Sequence, residues 1–343
     1  MADIYTRIED MGEFDFIRSI QDGCIFSRER LIRGIGDDCA VIGPYEGRAL
    51  LVSTDLLVED VHFITENICF EHLGQKTVAV NLSDIAAMGG DALHLFLSLA
   101  IPRVMRVETL HSFYRGVKAM CGRYRVNILG GDTSASLDRL MINVAVIGQA
   151  PEDEVLYRRG AGPGDYIYVT GTLGDSAAGL KLIKEGLLVP ESYASSLKRA
   201  HNLPQPHLDA GRKIARSRLA TAMIDISDGL VADLGHVCEA SKVGAIVYEE
   251  TLPISKELRG IVDAGGFDPV GLALSGGEDY RLLVTVPSEK GGLFEKMFEN
   301  GEPCHIYRIG RTTKEPGIRI VLPDGSERQT GAGGFDHFAR LSK

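Results

Sequence analysis

The chain contains no tryptophan, and aromatic residues make up only 7% of its 343 positions. So few aromatic faces leave no stacking platform for nucleic-acid bases. Basic charge does not dominate either: the formal net charge is −10 and the isoelectric point is near 5.4, the wrong sign for a phosphodiester partner. No apolar run approaches the roughly 20 residues that span a bilayer. The opening segment, Met1 to Asp10, has no basic stretch followed by an apolar core, so no signal peptide and no membrane association are expected. Cys24, Cys39, Cys69, Cys121, Cys238 and Cys304 are scattered without a C-x-x-C pair. That argues against zinc and against a disulfide framework, and for reduced thiols in a cytoplasmic protein. There is no G-x-x-x-x-G-K-[ST] loop and no H-R-D with D-F-G, which excludes P-loop and protein-kinase chemistry. The glycine runs Gly160–Gly164 and Gly331–Gly334 do not join a strand to a helix as a dinucleotide fingerprint does. Ser227 lacks the G-x-S-x-G frame of a hydrolase nucleophile, so covalent catalysis is not expected.

Aspartate at the ends of apolar elements is what the chain has instead. Glu71 to Met88 reads as a helix closed by Gly89-Gly90, with Leu73, Val78, Val80, Leu82 and Ile85 as its apolar positions. Asp84 falls in its last turn, where the helix dipole disfavours a carboxylate by a few tenths of a kcal/mol or more and a bound cation would reverse the penalty. The design recurs in Gly34-Ile-Gly-Asp-Asp-Cys-Ala40, Leu50-Leu-Val-Ser-Thr-Asp55, Ile128-Leu-Gly-Gly-Asp-Thr133 and Met223-Ile-Asp-Ile-Ser-Asp-Gly229. One turn aspartate is ordinary. Carboxylates and hydroxyls repeated beside flexible glycines match what hard, oxygen-preferring cations such as Mg²⁺ require. An acidic protein that binds a polyanion such as ATP needs cations from solution, and this pattern supplies their ligands.

The length suggests two domains. The first half alternates a helix at 14–20, strands at 39–42 and 49–53, the helix at 71–88, a strand at 93–101, a helix at 108–121 and strands at 126–129 and 140–148. Residues 151–164 are polar and rich in Gly and Pro, and mark the boundary between domains 1–150 and 151–343. Arg158 and Arg159 lie there, as linker charges or as phosphate contacts across a cleft. The second half reads as a strand at 165–171 opening into a helix, a helix at 206–215, a strand at 222–226, a helix at 230–240 and a strand at 281–286. The fold class is α+β, with mixed sheets.

Together these segments, with Ser53–Phe63, Leu274-Ser-Gly-Gly-Glu-Asp-Tyr280 and Gly334-Phe-Asp-His-Phe338, resemble the thiamine-monophosphate kinase family of the aminoimidazole ribonucleotide synthetase superfamily. The resemblance spans nearly the whole chain in order. Cys24 has no lysine beside it, unlike the selenophosphate synthetases, and the chain ends Leu341-Ser-Lys343 rather than in the cysteine of the hydrogenase maturation proteins. The resemblance implies a two-domain architecture in which N-terminal domains pair into a dimer barrel, with Leu93–Ile101 as an interface element. It implies transfer of the γ-phosphoryl group of ATP to thiamine monophosphate, in line and assisted by several Mg²⁺ ions. By motif position Asp38, Ser53, Thr54, Asp55, Asp84, Asp132, Asp225 and Asp228 are the implied metal ligands, with Asp84 as the hub. Gly131, Asp132, Arg158 and Ser227 are the implied ATP contacts, and His62, Glu278 and Phe335 the implied acceptor contacts. Asp279 is an alternative to Glu278, and Asp37 is either a supporting residue or part of a turn.

Overall fold

The computed structural model describes residues 8–262 and 266–330. Two short helices, α1 (Ile8–Met11) and α2 (Glu13–Ile20), precede a six-stranded sheet. Its strands are β1 (Leu31–Arg33), β2 (Ala40–Tyr45), β3 (Arg48–Val58), β4 (Asp91–Pro102), β5 (Asn127–Ser136) and β6 (Met141–Pro151), in the spatial order β1-β2-β3-β6-β4-β5. Every neighbour is antiparallel except the β4–β5 pair. Along β3 the side chains alternate: Ala49, Leu51 and Leu57 are buried, whereas Thr54 and Leu56 are exposed. That period of two puts Ser53 and Asp55 on the core side and Thr54 on the opposite face.

Helix α3 (Phe70–Ala87) packs across β3, β6 and β4, and α4 (Val107–Tyr124) packs against α3. The two helices approach so closely that a Cβ at Gly116 would stand 1.8 Å from the Glu71 carbonyl oxygen, so only glycine fits.

A seven-stranded sheet builds the second half from β7 (Tyr166–Thr170), β8 (Ala222–Ile226), β9 (Gly244–Tyr248), β10 (Arg281–Val286), β11 (Ile306–Thr313), β12 (Ile318–Val321) and β13 (Glu327–Thr330). The order is β13-β12-β9-β11-β7-β10-β8. Around it lie α5 (Asp175–Glu185), α6 (Glu191–Asn202), α7 (Leu208–Ser217), α8 (Leu230–Ser241), α9 (Lys256–Arg259), α10 (Pro269–Ser275) and α11 (Gly291–Met297). Helix α3 also touches α7, β8 and β10, so it is wedged between the halves and buried on nearly every side. No helix among the described residues is long and apolar enough to cross a membrane.

The α+β expectation holds, and the strands differ in extent. β3 runs five residues past Ser53, to Val58, because Leu57 continues the buried alternation beyond the polar Ser-Thr-Asp step. β5 runs straight through Gly130-Gly131-Asp132 to Ser136, held by parallel pairing with β4 rather than by its own propensity. Helix α6, absent from the sequence reading, buries Ala194, Leu197 and His201 under a polar surface.

Candidate functional site

Three carboxylates from three elements converge where the halves meet. Asp38 comes from the loop before β2, Asp84 from the last turn of α3 and Asp225 from β8, and one oxygen of each lies within 4.8 Å of the others. Two serines orient them. Ser53 Oγ donates to Asp84 Oδ2 at 2.5 Å, and Ser83 Oγ, on α3, donates to Asp225 Oδ2 at 2.6 Å. Arg158 Nε and Nη2 both donate to Asp38 Oδ1, at 3.1 and 2.5 Å. Asp37 supports this contact: its Oδ1 accepts the Arg158 backbone N–H at 3.2 Å, and its other oxygen lies 3.4 Å from Arg33 Nε.

So many carboxylates in a dry site resist ionisation. Burial pushes Asp55 up to about 6. Burial and then the neighbouring Asp38 push Asp225 up to about 7. Asp84 is held well above the usual carboxylate range by burial first, then by Asp55, Asp225 and Asp38. Burial alone would lower the Arg158 guanidinium, but contact with Asp38 outweighs it and the cation is firmly held. Asp38 Oδ2 is buried with no hydrogen-bond donor among the described residues. An orphaned buried oxygen beside two further carboxylates and a serine hydroxyl fits a hard divalent cation such as Mg²⁺. No histidine or cysteine joins this cluster. The neighbouring Cys39 thiol is pushed well up by burial and then by Asp84, which keeps it protonated and inert.

The other expected ligands lie apart from this group. Thr54 Oγ1 donates to the Val144 carbonyl at 2.9 Å and accepts from Asn143 Nδ2 at 3.0 Å on the outward face. Strand register carries Asp55 through Val144 and Leu97 to Gly131, three strands away, and puts Asp132 in the next row with Leu56, Asn143 and Ser98. Asp132 therefore shares the outward face with Thr54. Asp132 is exposed on the edge strand, where its Oδ1 accepts the Thr133 N–H at 2.8 Å. Gly131 must lack a side chain, since a Cβ would stand 1.7 Å from the Leu97 carbonyl oxygen. Beside it opens a cavity of about 320 Å³ lined by Leu97, Tyr114, Ile128–Gly130, Gly131, Asp132 and Thr133. Asp228 lies beyond β8 in a second acidic group with Asp233 and His236. There the Asp228 and Gly229 N–H groups donate to Asp233 Oδ2 at 3.2 and 3.1 Å. Ser227 is half-buried, and its carbonyl accepts the Glu278 N–H at 2.7 Å.

His62 and Glu278 are joined through Lys76. The Lys76 ammonium is 2.9 Å from Glu278 Oε1 and donates to the His62 carbonyl at 3.1 Å. Glu278 Oε2 lies 3.2 Å from His201 Nδ1. Burial raises the Glu278 carboxyl, but Lys76 and then His201 outweigh it and hold the group below its ordinary value. Asp279 is committed elsewhere: its carboxylate accepts the Gly174 N–H at 2.7 Å and the Ser176 N–H at 3.3 Å, at the N-terminus of α5. Glu278 is thus held by the side chains of Lys76 and His201, and Asp279 by backbone N–H groups. Phe335 lies outside the described residues. Sequence reading missed Ser83, Lys76, Tyr114 and His201. Lys76 carried a signal, a charge in the middle of an apolar helix; the others carried none.

The AIR synthase related protein N-terminal domain model matches residues 36–150, and the C-terminal domain model matches residues 162–323. A thiamine-monophosphate kinase from Salmonella typhimurium is 40% identical over 96% of this chain and 98% of its own length. One from Aquifex aeolicus is 36% identical over 97% of this chain and 100% of its own. Among solved structures, AaThiL complexed with AMPPCP and TMP matches with a TM-score of 0.85 at 34% identity, over 97% of this chain and 99% of that one. A HypE–HypF complex, 20% identical with a TM-score of 0.73, shares the fold.

Proposed function

The chain belongs to the thiamine-monophosphate kinase family, and we propose that it transfers the γ-phosphoryl group of ATP in line to the phosphate of thiamine monophosphate, giving thiamine diphosphate. The observation that carries this reading is the convergence of Asp38, Asp84 and Asp225, with Asp55 beside them and no histidine or cysteine in the cluster among the described residues. A phosphate acceptor is already anionic near neutral pH and needs no base. The obstacle is repulsion between two anions, so positioning and charge neutralisation suffice. Several Mg²⁺ ions, bound by Asp38, Ser53, Asp55, Asp84, Asp225 and Asp228, would supply that neutralisation. Arg158, now on Asp38, is the cation within reach of ATP phosphates, and Ser227 and Gly131 are further ATP contacts. His62 and Glu278 would contact the acceptor, and motif position implies Phe335, outside the described residues, as a third contact. A cytoplasmic setting belongs to the same proposal, supported by six unpaired cysteines.

Of the expected ligands on the first sheet, Ser53 and Asp55 lie on the core face and Thr54 and Asp132 on the outward face, which supports a homodimer. Within one chain the buried side chains of Val144 and Leu97 stand in the row between Asp55 and Gly131. The edge strand β5 is exposed along nearly its full length, and the outward face carries exposed Leu56, Phe96 and Met141. A second copy closing over this face would cover the edge and bring its own Gly131 and Asp132 toward Thr54.

The test is formation of thiamine diphosphate from ATP and thiamine monophosphate, with Mg²⁺ and with excess EDTA, read as thiochrome fluorescence after separation. Mg²⁺-dependent product is expected. No product from folded, ATP-binding protein would reject the reading.

A further inference from the structure

The contacts of Lys76 go beyond the neutralisation of a buried glutamate. Its side chain is fully buried at the centre of α3, and its ammonium reaches two segments at once: the His62 carbonyl after β3 and the Glu278 carboxylate between α10 and β10. The first segment belongs to the first sheet's half of the chain, the second to the other half. Glu278 itself adopts a left-handed backbone with φ of 64°, costly for a residue with a side chain and maintained where surroundings over-determine it. His201 completes the enclosure. Burial first, and then Lys76, lowers its imidazole to about 4, so it stays neutral beside Glu278, with Nδ1 also 3.1 Å from Ser176 Oγ. The His62 ring is fixed too: Nδ1 accepts the Val58 N–H at 3.0 Å, which leaves the proton on Nε2.

A buried ion pair is a poor stabilising device, since an apolar pair of the same volume is often as good. Its presence here, with a second contact to another segment, needs another reason. We infer that Lys76 is a positioning residue of the acceptor subsite, fixing His62 and Glu278 at a set separation across the two halves of the chain. The inference rests on the reading that these two residues face thiamine monophosphate. It predicts that a shift in the ammonium disturbs the acceptor's geometry and leaves the nucleotide's untouched.

Lys76→Arg keeps the charge and moves it, Lys76→Met removes it, and Lys76→Met/Glu278→Gln removes both charges, so the pair stays balanced if Lys76→Met alone fails to fold. Steady-state kinetics on the Mg²⁺-loaded enzyme should show KM for thiamine monophosphate raised about tenfold in Lys76→Arg and further in Lys76→Met, with KM for ATP within about twofold of wild type. Titration of thiamine monophosphate alone into each variant should show the same order of weakening. Against Glu278→Gln alone, the double variant should lose less acceptor affinity than Lys76→Met loses against wild type, because only the Lys76 contact to His62 is then left to remove. Parallel rises in both KM values, or a double variant whose losses simply add, would overturn the inference. Wild-type enzyme that turns over no thiamine monophosphate would instead reject the proposed function itself.

Discussion

Asp84→Asn should make the metal-free protein more stable and the Mg²⁺-loaded protein inactive. The change removes one charge at constant volume, and the asparagine carbonyl can still accept the Ser53 hydroxyl that Oδ2 now accepts at 2.5 Å. Oxygens of Asp38, Asp84 and Asp225 lie within 4.8 Å of one another, and at an effective dielectric near 20 each fully ionised pair at that distance repels by about 3 kcal/mol. The folded chain already relieves part of this by holding Asp84 and Asp225 protonated well above the usual range. The realised gain should therefore be about 1–2 kcal/mol, or ~2–4 °C in melting temperature for a chain of this size. Mg²⁺ reverses the order. Wild type gains RT ln(1 + [Mg²⁺]/Kd), about 2.7 kcal/mol at a hundredfold excess over Kd, and the variant loses most of that shift. Thermal unfolding in EDTA and in Mg²⁺, with product formation measured alongside, gives all three quantities. An Asp84→Asn protein less stable than wild type in EDTA, or one with an unchanged Mg²⁺-induced shift, would refute the idea that these charges converge for a cation.

The raised carboxylates also set a pH dependence: Asp55 and Asp225 titrate at about 6 and about 7 when folded, against roughly 4 when unfolded. The native chain then holds more protons across that window, so metal-free stability should fall as pH rises from about 4 to 7, and saturating Mg²⁺ should flatten the fall. Equal slopes with and without Mg²⁺ would count against the site. Ser83→Ala removes the hydroxyl that donates to Asp225 at 2.6 Å. It should cost about 1 kcal/mol and weaken Mg²⁺ binding severalfold, measured by calorimetric titration. Asp279→Ala removes the acceptor of the Gly174 and Ser176 N–H groups. It should cost about 1 kcal/mol of stability in urea unfolding yet leave KM for thiamine monophosphate unchanged. Asp84→Asn and Asp132→Ala chains, each inactive alone, should recover about a quarter of wild-type activity when co-refolded, because mixed dimers hold one intact shared site. No recovery from verified mixed dimers would place Asp132 and Asp84 in the same chain's site.

Much of the fold was legible because its elements are long and strongly patterned. Helix α3 was read to within a residue at each end from its apolar periodicity and its closing glycines. Helix α6 was not, because only Ala194, Leu197 and His201 are buried along twelve residues and the rest is polar surface. The three aspartates that converge, Asp38, Asp84 and Asp225, all came from the recurring pattern of aspartate beside Gly, Ser or Thr at element ends. The supports of that site were hidden because they act through long-range contact. Ser83 is bonded to a residue 142 positions away, and Lys76 to one on another domain's loop. Nothing local distinguishes that serine from any other in a helix.

The division of the ligand set was also beyond the sequence, for a different reason. Ser53-Thr54-Asp55 reads as one cluster while the strand is taken to end there, since residues in a bend can point to a common centre. Once β3 is seen to continue to Val58, the pleat forces alternate side chains onto opposite faces, and Thr54 separates from its neighbours. The same holds for Gly130-Gly131-Asp132: as the end of a strand it would be a turn, but within β5 it is a register position, with Asp132 opposite Ser98. Two strand extensions thus separate what reads as a single cluster onto two faces of one sheet. A motif that resembles a family's complete ligand set need not be complete within one chain, and under the proposed dimer the strand period decides which residues meet only across two copies.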